Sequence, residues 1–268
     1  MVSAMLLQEM DDCIDGCLTL TLNRGEQRNS LSRAMLSELS DALDDACSAD
    51  NVNVIVIRGS GPAFCSGHDL KELTEHRSDD DNGAAFFRET MQQSSQMMRK
   101  IVRCPKPVIA RVHGIATAAG CQLVASCDLA IAGESATFAT PGVHLGLFCS
   151  TPMVGLSRNV SRKQSMEMLL LGEPVSAIRA EQFGLINKVV PDADLDASVD
   201  EWASKLASKP SYSVKVGIEG FYNQLEMNLN DAYDYVSEIM VENMLEDDSI
   251  EGIGAFLQKR LPIWSKGS

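Results

Sequence analysis

Residues 113–148 read HGIATAAGCQLVASCDLAIAGESATFATPGVHLGLF, and this stretch carries the local pattern that decides the fold. Small residues dominate 116–127, where the sequence favours a helix after Gly120. The mostly apolar run Asp128–Ala132 follows at once and predicts a buried strand, and Thr137–Ala139 predicts a second, shorter one. A helix that alternates with short buried strands is typical of an α/β fold.

The same alternation extends towards the N terminus. The alternating residues Cys17–Leu22 predict a half-buried strand, and a helix follows Ser32, whose hydroxyl is a suitable N-cap. The next elements are predicted as a strand, a helix and a strand, at Val54–Ile57, 85–102 and Val108–Val112. After about Ser150, helical patterns dominate. We therefore predict an α/β core over residues 1–200, which holds the functional site, and a helical C-terminal region over 201–268.

The composition excludes several classes of protein. The chain has 268 residues, of which 45% are hydrophobic, so it can bury a large core and is not disordered. Its 37 acidic residues outnumber 23 basic ones, and the resulting net charge of −14 argues against nucleic-acid binding. No apolar run approaches the roughly 20 residues of a membrane span, so no membrane association is expected. An anionic small ligand stays open, because a local basic patch can oppose the overall charge.

The eight cysteines and the N-terminal residues bear on the compartment. The cysteines include no C-x-x-C pair and no Cys/His spacing typical of zinc, so we expect free thiols and no metal site. The first residues, MVSAMLLQEMDDCIDG, lack a basic region followed by an apolar one, and they contain no arginine. These features are unlike a secretory signal or a transit peptide, and a cytoplasmic protein is therefore expected.

Two glycine-punctuated segments stand where catalysis could occur. Residues 66–69 (SGHD) and 118–122 (AAGCQ) each follow a buried strand and lead towards a helix. Free N–H groups at helix starts attract negative charge, and two that converge would form an oxyanion hole; the alternative is a pair of tight turns. Cys65 and His68 could also pair as a thiol nucleophile and its base, but a buried cysteine beside a loop histidine is the interpretation we favour.

Five segments together identify a family. They are LNRGEQRNSL (22–31), FCSGHDLKEL (64–73), the stretch 113–148 quoted above, GEPVSAIRAEQFG (172–184) and FLQKRLPIW (256–264). In this order and spacing they resemble the enoyl-CoA hydratase/isomerase (crotonase) superfamily over nearly the whole chain, and its enoyl-CoA hydratase-domain-containing subgroup most closely. The resemblance implies an α/β fold with a crotonase-type ββα spiral core and a helical C-terminal trimerisation region.

The resemblance also implies a ligand and a reaction type. The ligand is a coenzyme A thioester that arrives as the substrate, so no separate cofactor is expected. The backbone N–H groups of His68 and Ala119 would hold the thioester carbonyl and stabilise an enolate. The implied class is a lyase of fatty acid metabolism, assembled as a homotrimer or a dimer of trimers. The implied acyl-CoA contacts are Gln27, Arg28, Ser30, Ser66, Gly67, His68, Asp69, Leu70, Lys71, Ala118, Ala119, Thr140, Pro141, Leu145, Lys259 and Lys266.

Two positions depart from the family pattern. The hydratases use two glutamates to hold and activate a water, and Gln122 and Gly142 stand at the matching positions. An amide accepts no proton at neutral pH and glycine has no side chain, so hydration by the two-glutamate route is predicted to be weak or absent. His144, two residues beyond Gly142, is the titratable candidate for proton transfer, and the alternative is an ordinary loop histidine.

Three functions stay open from the sequence. The first is an enoyl-CoA hydratase/isomerase-like enzyme. The second is a decarboxylase or thioester hydrolase that uses the same oxyanion hole. It is suggested by residues 66–69, which resemble the SAGHD segment of methylmalonyl-CoA decarboxylases, and the loss of CO₂ forms an enolate without an external base. The third is a non-catalytic acyl-CoA-binding protein.

Overall fold

The structure is a computed structural model that describes residues 4–265. Its strands are β1 (Leu6–Met10), β2 (Cys17–Leu22), β3 (Val54–Gly59), β4 (Val108–Val112), β5 (Ile115–Thr117), β6 (Leu129–Gly133), β7 (Thr137–Ala139), β8 (Val175–Ser176) and β9 (Lys188–Val190). Its α-helices are α1 (Arg33–Ser48), α2 (Leu70–Glu75), α3 (Ala84–Val102), α4 (Ala119–Ser126), α5 (Pro152–Asn159), α6 (Arg162–Leu171), α7 (Ala177–Phe183), α8 (Leu195–Ala207), α9 (Ser211–Gln224), α10 (Leu229–Leu245) and α11 (Asp247–Leu257).

The elements predicted for the N-terminal half are confirmed. Strands β2, β3, β4, β6 and β7 and helices α1, α3 and α4 lie where the sequence places them, within a few residues. The N-cap of α1 is Ser32, whose hydroxyl accepts a hydrogen bond from the N–H of Met35 at 3.3 Å. This bond satisfies one of the N–H groups that the first turn of a helix leaves unpaired.

The strands form two sheets. The larger sheet has the order β1-β2-β3-β4-β6-β9 and is parallel except for β1, which pairs antiparallel with β2. The smaller sheet has the order β5-β7-β8. The chain therefore leaves the larger sheet after β4, adds β5 to the smaller sheet, forms α4 and returns to the larger sheet as β6. This strand–strand–helix turn is the unit of the expected ββα spiral, and it buries every residue of α4.

The same turn recurs in abbreviated form at two other places. One is the segment between β2 and α1, and the other is the segment between β3 and α2. Leu31 pairs in parallel with His68, and Cys65 pairs in parallel with Ala116 of β5. The backbone at residues 65–68 therefore lies between the loop that precedes α1 and the strand that precedes α4. This arrangement places both glycine-punctuated segments at one edge of the spiral.

The C-terminal helices divide into one that covers the sheet and three that leave it. Helix α8 packs on the outer face of the larger sheet through Leu195, Val199 and Ala203. The predicted division at residue 200 therefore falls inside α8. Helices α9 to α11 expose large apolar side chains, among them Phe221, Leu229, Tyr233, Leu245, Phe256 and Leu257. Within residues 4–265, no helix is both long enough and apolar enough to cross a membrane.

Candidate active site

The turn at Gly67 lies against the N terminus of α4. A Cβ atom added to Gly67 would stand 3.0 Å from the Cβ of Ala118, 3.0 Å from the carbonyl oxygen of Thr117 and 3.2 Å from the nitrogen of Ala119. The N–H of Thr117 donates to the carbonyl of Cys65 at 2.9 Å and holds the two segments in register. The structure thus brings together the two segments that the sequence analysis singled out.

The backbone at Ala118 is held in a conformation that side chains disfavour. Its φ of 51° and ψ of −118° lie on the positive-φ side, where a Cβ atom costs on the order of 1–3 kcal/mol. The N–H of Ala118 donates to the carbonyl of Ala139, and its carbonyl accepts from the N–H of Gln122 at 3.0 Å. These bonds turn the chain sharply into α4, so that Ala119 is the first residue of the helix.

Close packing fixes the start of α4 against the Gly67 turn. A Cβ atom at Gly120 would stand only 2.1 Å from the carbonyl oxygen of Cys65, so only glycine fits there. No hydrogen bond from the N–H of His68 or of Ala119 reaches a protein acceptor within residues 4–265. Because Ala119 opens the helix, its N–H has no partner inside α4. Two unused backbone donors therefore lie on neighbouring segments in close contact.

Three buried polar side chains beside these donors also lack partners. Both ring nitrogens of His68, Oε1 of Gln122 and Oγ1 of Thr140 are shielded from solvent and accept or donate no hydrogen bond in the described part of the chain. Buried polar groups are nearly always paired in folded proteins, so unpaired ones indicate places where a ligand or ordered water binds. The two other such residues in residues 4–265, Gln93 and Ser94, lie in α3.

Burial sets the protonation of the two groups considered for nucleophilic chemistry. Burial lowers the pKa of His68, and the backbone of Leu31 raises it by a smaller amount. Because the pKa stays below its usual value, the ring is neutral at physiological pH. Burial raises the pKa of the Cys65 thiol to about 12. A thiol held protonated is a poor nucleophile, and the structure therefore gives no support to a Cys65–His68 catalytic pair.

A half-buried ion pair joins the two loops expected to hold coenzyme A. Arg24 donates to Asp69 Oδ2 at 2.9 Å and to the carbonyl of Ser30 at 2.7 Å, and Asp69 also caps α2. Arg24 is not predicted from the sequence, because its partner lies 45 positions away and no local pattern links them. Gln27, Arg28, Leu70 and Lys71 are exposed along these loops, whereas Ser30 is buried and Ser66 is half-buried.

The segment after β7 places its predicted residues in different surroundings. Gly142 is buried, and a Cβ atom there would stand 3.0 Å from Cys149 Sγ. His144 is 54% exposed in its side chain and lies against Gly172, with Nε2 4.0 Å from Glu173 Oε1. His144 is thus an exposed side chain, whereas Thr140, four residues before it, is buried. Pro141 is half-buried, and Leu145 is exposed.

The basic residues expected at the C terminus are placed only in part. Lys259 is exposed just after α11, with a positive φ of 54°. Its neighbour Arg260 donates to both carboxylate oxygens of Glu251, at 2.5 and 2.7 Å. Lys266 lies outside the described residues. No group of three or more acidic, cysteine or histidine side chains within residues 4–265 is arranged to hold a metal ion.

Comparisons with known proteins identify the family of the chain. Residues 14–267 match the sequence model of the family described as Enoyl-CoA hydratase/isomerase. The chain is 50% identical to human "Enoyl-CoA hydratase domain-containing protein 3, mitochondrial" over 253 residues, which cover 94% of this chain and 82% of the relative. The relatives of the same name from mouse and rat are also called mitochondrial. The expectation of a cytoplasmic protein is therefore wrong, because the N-terminal composition on which it rested does not decide the compartment.

Two solved structures have the same fold. A crystal structure from Mycobacterium smegmatis called an enoyl-CoA hydratase superposes with a TM-score of 0.93 at 46% identity, covering 98% of this chain and 99% of that one. The crystal structure of human enoyl-CoA hydratase domain-containing protein 3 gives a TM-score of 0.92 at 46% identity, covering 97% and 100%. The superfamily, the subgroup and the crotonase-type spiral with its C-terminal helices are all confirmed. The chain belongs to the enoyl-CoA hydratase/isomerase, or crotonase, family.

Proposed function

We propose that this protein binds an acyl-CoA thioester and stabilises its enolate with the backbone N–H groups of His68 and Ala119. The observation that supports the proposal is the close approach of Gly67 to Ala118 and Ala119, because the two segments in contact each carry an unused backbone donor. Enolate formation moves negative charge onto the thioester oxygen, and donors fixed in advance at that point stabilise it. One such donor contributes about 3–4 kcal/mol in enzymes that react at acyl groups.

We further propose that the site lacks the two carboxylates needed for classical hydration. Gln122 presents a buried, unpaired Oε1 atom, and Gly142 presents no side chain. The Gln122 amide can orient a water molecule or the ligand but cannot take up a proton at neutral pH. The acid/base step of hydration then has no carboxylate to perform it, which predicts slow conversion of a 2-enoyl-CoA.

Coenzyme A would lie along the loops that Arg24 and Asp69 join. Arg28 and Lys71 are exposed basic side chains on these loops, and they supply positive charge for the phosphates within a chain of net charge −14. The exposed apolar faces of α9 to α11 support a homotrimer or a dimer of trimers, since monomers rarely expose so many large apolar side chains together. Light scattering of the purified protein measures the mass of that assembly.

A second candidate function rests on His68. Its ring is buried, neutral and unpaired beside the proposed oxyanion hole, where it can donate to a carboxylate or a carbonyl of the ligand. Decarboxylation of a malonyl-type thioester needs no base, because the departing CO₂ leaves its electron pair on the α-carbon as the enolate. Thioester hydrolysis would use the same hole for its tetrahedral intermediate.

A panel of acyl-CoA thioesters separates these functions. Crotonyl-CoA tests hydration, methylmalonyl-CoA tests decarboxylation, and release of free coenzyme A tests hydrolysis. The proposal expects binding of acyl-CoA together with weak or absent hydration, and binding without any product would favour a non-catalytic acyl-CoA-binding protein. Failure to bind any thioester would overturn the proposal, and rapid hydration of crotonyl-CoA would overturn its second part.

Restoring both carboxylates provides a complementary test. The double variant Gln122→Glu, Gly142→Glu is expected to gain hydration of crotonyl-CoA over the wild type, because positioned acids and bases each contribute about 10²–10⁴-fold. The new side chain at residue 142 must displace Cys149 Sγ, which a Cβ atom there would meet at 3.0 Å. The unfolding midpoint of the double variant therefore has to be measured beside its activity.

A further inference from the structure

Two cysteine side chains, one at the end of α1 and one just after α3, lie in contact outside the residues of the proposed acyl site. Cys47 lies in the last turn of α1, and Cys104 follows the end of α3. Their Sγ atoms are 3.1 Å apart, although the residues are separated by 57 positions in the sequence. Both are free thiols in this structure. A disulfide bond measures about 2 Å, so the two sulfur atoms need to approach by only about 1 Å to form one.

The surroundings favour a reactive thiolate at Cys47. Lys106 donates to the backbone carbonyls of Ala46, at 2.7 Å, and of Ala49, which places its ammonium group beside Cys47 at the C terminus of α1. The hydrogen bond from the Cys104 thiol is the largest cause that lowers the pKa of Cys47, and Lys106 adds to it. Burial and Asp44 oppose the shift without cancelling it.

The two sulfur atoms differ in access to solvent. Cys104 is 1% exposed and packs in the main core, whereas Cys47 lies at the edge of that core and is only half-buried. An oxidant from solution therefore reaches Cys47 first, and Cys104 stands directly behind it. This order is that of an attacking thiolate and a resolving thiol.

We propose that Cys47 and Cys104 are a redox-active pair that a hydroperoxide oxidises to a disulfide. The Cys47 thiolate attacks one peroxide oxygen, the O–O bond breaks, and the leaving hydroxide takes a proton to become water. Cys104 then gives up its proton and attacks the sulfur of the resulting sulfenic acid, which releases a second water molecule. With hydrogen peroxide, two thiols and one peroxide yield one disulfide and two waters. The bond would tie the end of α1 to the segment that leads from α3 into β4.

The test follows the reduced full-length protein through a titration with hydrogen peroxide. After each step the remaining thiols are alkylated in denaturant, the intact mass is measured, and linked peptides are mapped. The wild type is expected to lose two hydrogens and to yield a Cys47–Cys104 peptide. Its unfolding midpoint should rise by about 5 °C, because the bond closes a long loop in the unfolded chain.

Three variants identify the roles of the two sulfur atoms. Cys47→Ser should form no disulfide, and Cys104→Ser should stop at a sulfenic acid on Cys47 that dimedone traps. The matched control is Cys13→Ser, which removes an exposed cysteine and should behave as the wild type. The proposal is overturned if Cys47 and Cys104 stay alkylatable while Cys13 is oxidised, or if Cys47 pairs with another cysteine in the folded wild type.

Discussion

Replacing Gly67 by alanine tests whether the two proposed oxyanion-hole segments must touch. The new methyl group would meet the Cβ of Ala118 and the carbonyl oxygen of Thr117 at 3.0 Å, and the nitrogen of Ala119 at 3.2 Å. These contacts are too short by a few tenths of an ångström, and two of the three partners are backbone atoms, one at the end of β5 and one at the start of α4. The variant should therefore spread the His68 and Ala119 donors apart.

The size of the effect follows from two separate costs. Gly67 has a φ of +91°, and a side chain in the positive-φ region destabilises the fold by roughly 1–2 kcal/mol. Misplacing one donor of an oxyanion hole costs about 3–4 kcal/mol in stabilisation of the charged state, or about 10²–10³-fold. Gly184→Ala isolates the first cost, because Gly184 has a φ of +81° but its nearest neighbour would be Asn159 O at an ordinary 3.4 Å.

The assay does not depend on which reaction the protein catalyses. A 3-oxoacyl-CoA such as acetoacetyl-CoA ionises to an enolate that absorbs in the near ultraviolet, and an oxyanion hole raises the enolate fraction of the bound ligand. Gly67→Ala is expected to lower the equilibrium constant for enolate formation by about 10²-fold or more, while Gly184→Ala leaves it unchanged. Folded Gly67→Ala protein that forms enolate within about two-fold of the wild type would refute the reasoning.

Three further predictions concern stability and the unpaired polar atoms. Thr140→Val removes a buried hydroxyl that has no partner, so the free energy of unfolding of the ligand-free protein, measured in urea, should rise by about 1 kcal/mol. Calorimetry should show weaker acyl-CoA binding by the same variant. A loss of stability would contradict this prediction. Gly120→Ala should strongly lower the unfolding midpoint, because its Cβ would lie 2.1 Å from Cys65 O, whereas Gly217→Ala, in a helix with open space around it, should match or exceed the wild type. Burial raises the pKa of Asp128 to about 6, above its value of about 3.9 in unfolded chains. Protonated Asp128 therefore stabilises the fold at low pH, and this contribution is lost as pH rises from about 4 to about 6. The unfolding free energy of the wild type, less that of Asp128→Asn, should fall over that range. A constant difference would exclude the pKa shift.

Local sequence patterns predict a helix or strand correctly where the contacts that stabilise it involve residues of the element itself. Ser32 followed by the apolar spacing of α1, and the apolar residues of β3, predict structure because capping and burial periodicity act within a few residues. The sequence does not predict strands β1, β5, β8 and β9, since three of them have only two or three residues and β1 is mostly solvent-facing at the sheet edge. Their positions depend on strands already in place.

The sequence indicates where the candidate site lies, but not the conformation of the backbone and side chains that form it. SGHD and AAGCQ indicate two turns with unpaired N–H groups, but nothing in them predicts the positive φ of Ala118, which the distant carbonyl of Ala139 helps to hold. Spacing alone also does not predict the direction of the His144 side chain, which the short 3-10 turn at Pro141–Leu145 sets against Gly172. The direction in which a turn points a side chain depends on tertiary packing.

The most direct test of the proposed function is a structure of this protein with an acyl-CoA bound. We predict that the thioester oxygen lies about 2.7–3.1 Å from the backbone nitrogens of both His68 and Ala119. We also predict that no carboxylate contacts the α- or β-carbon, and that Gln122 Oε1 or Thr140 Oγ1 gains a partner. A thioester oxygen that meets neither nitrogen, or a carboxylate beside the reacting carbons, would contradict the account.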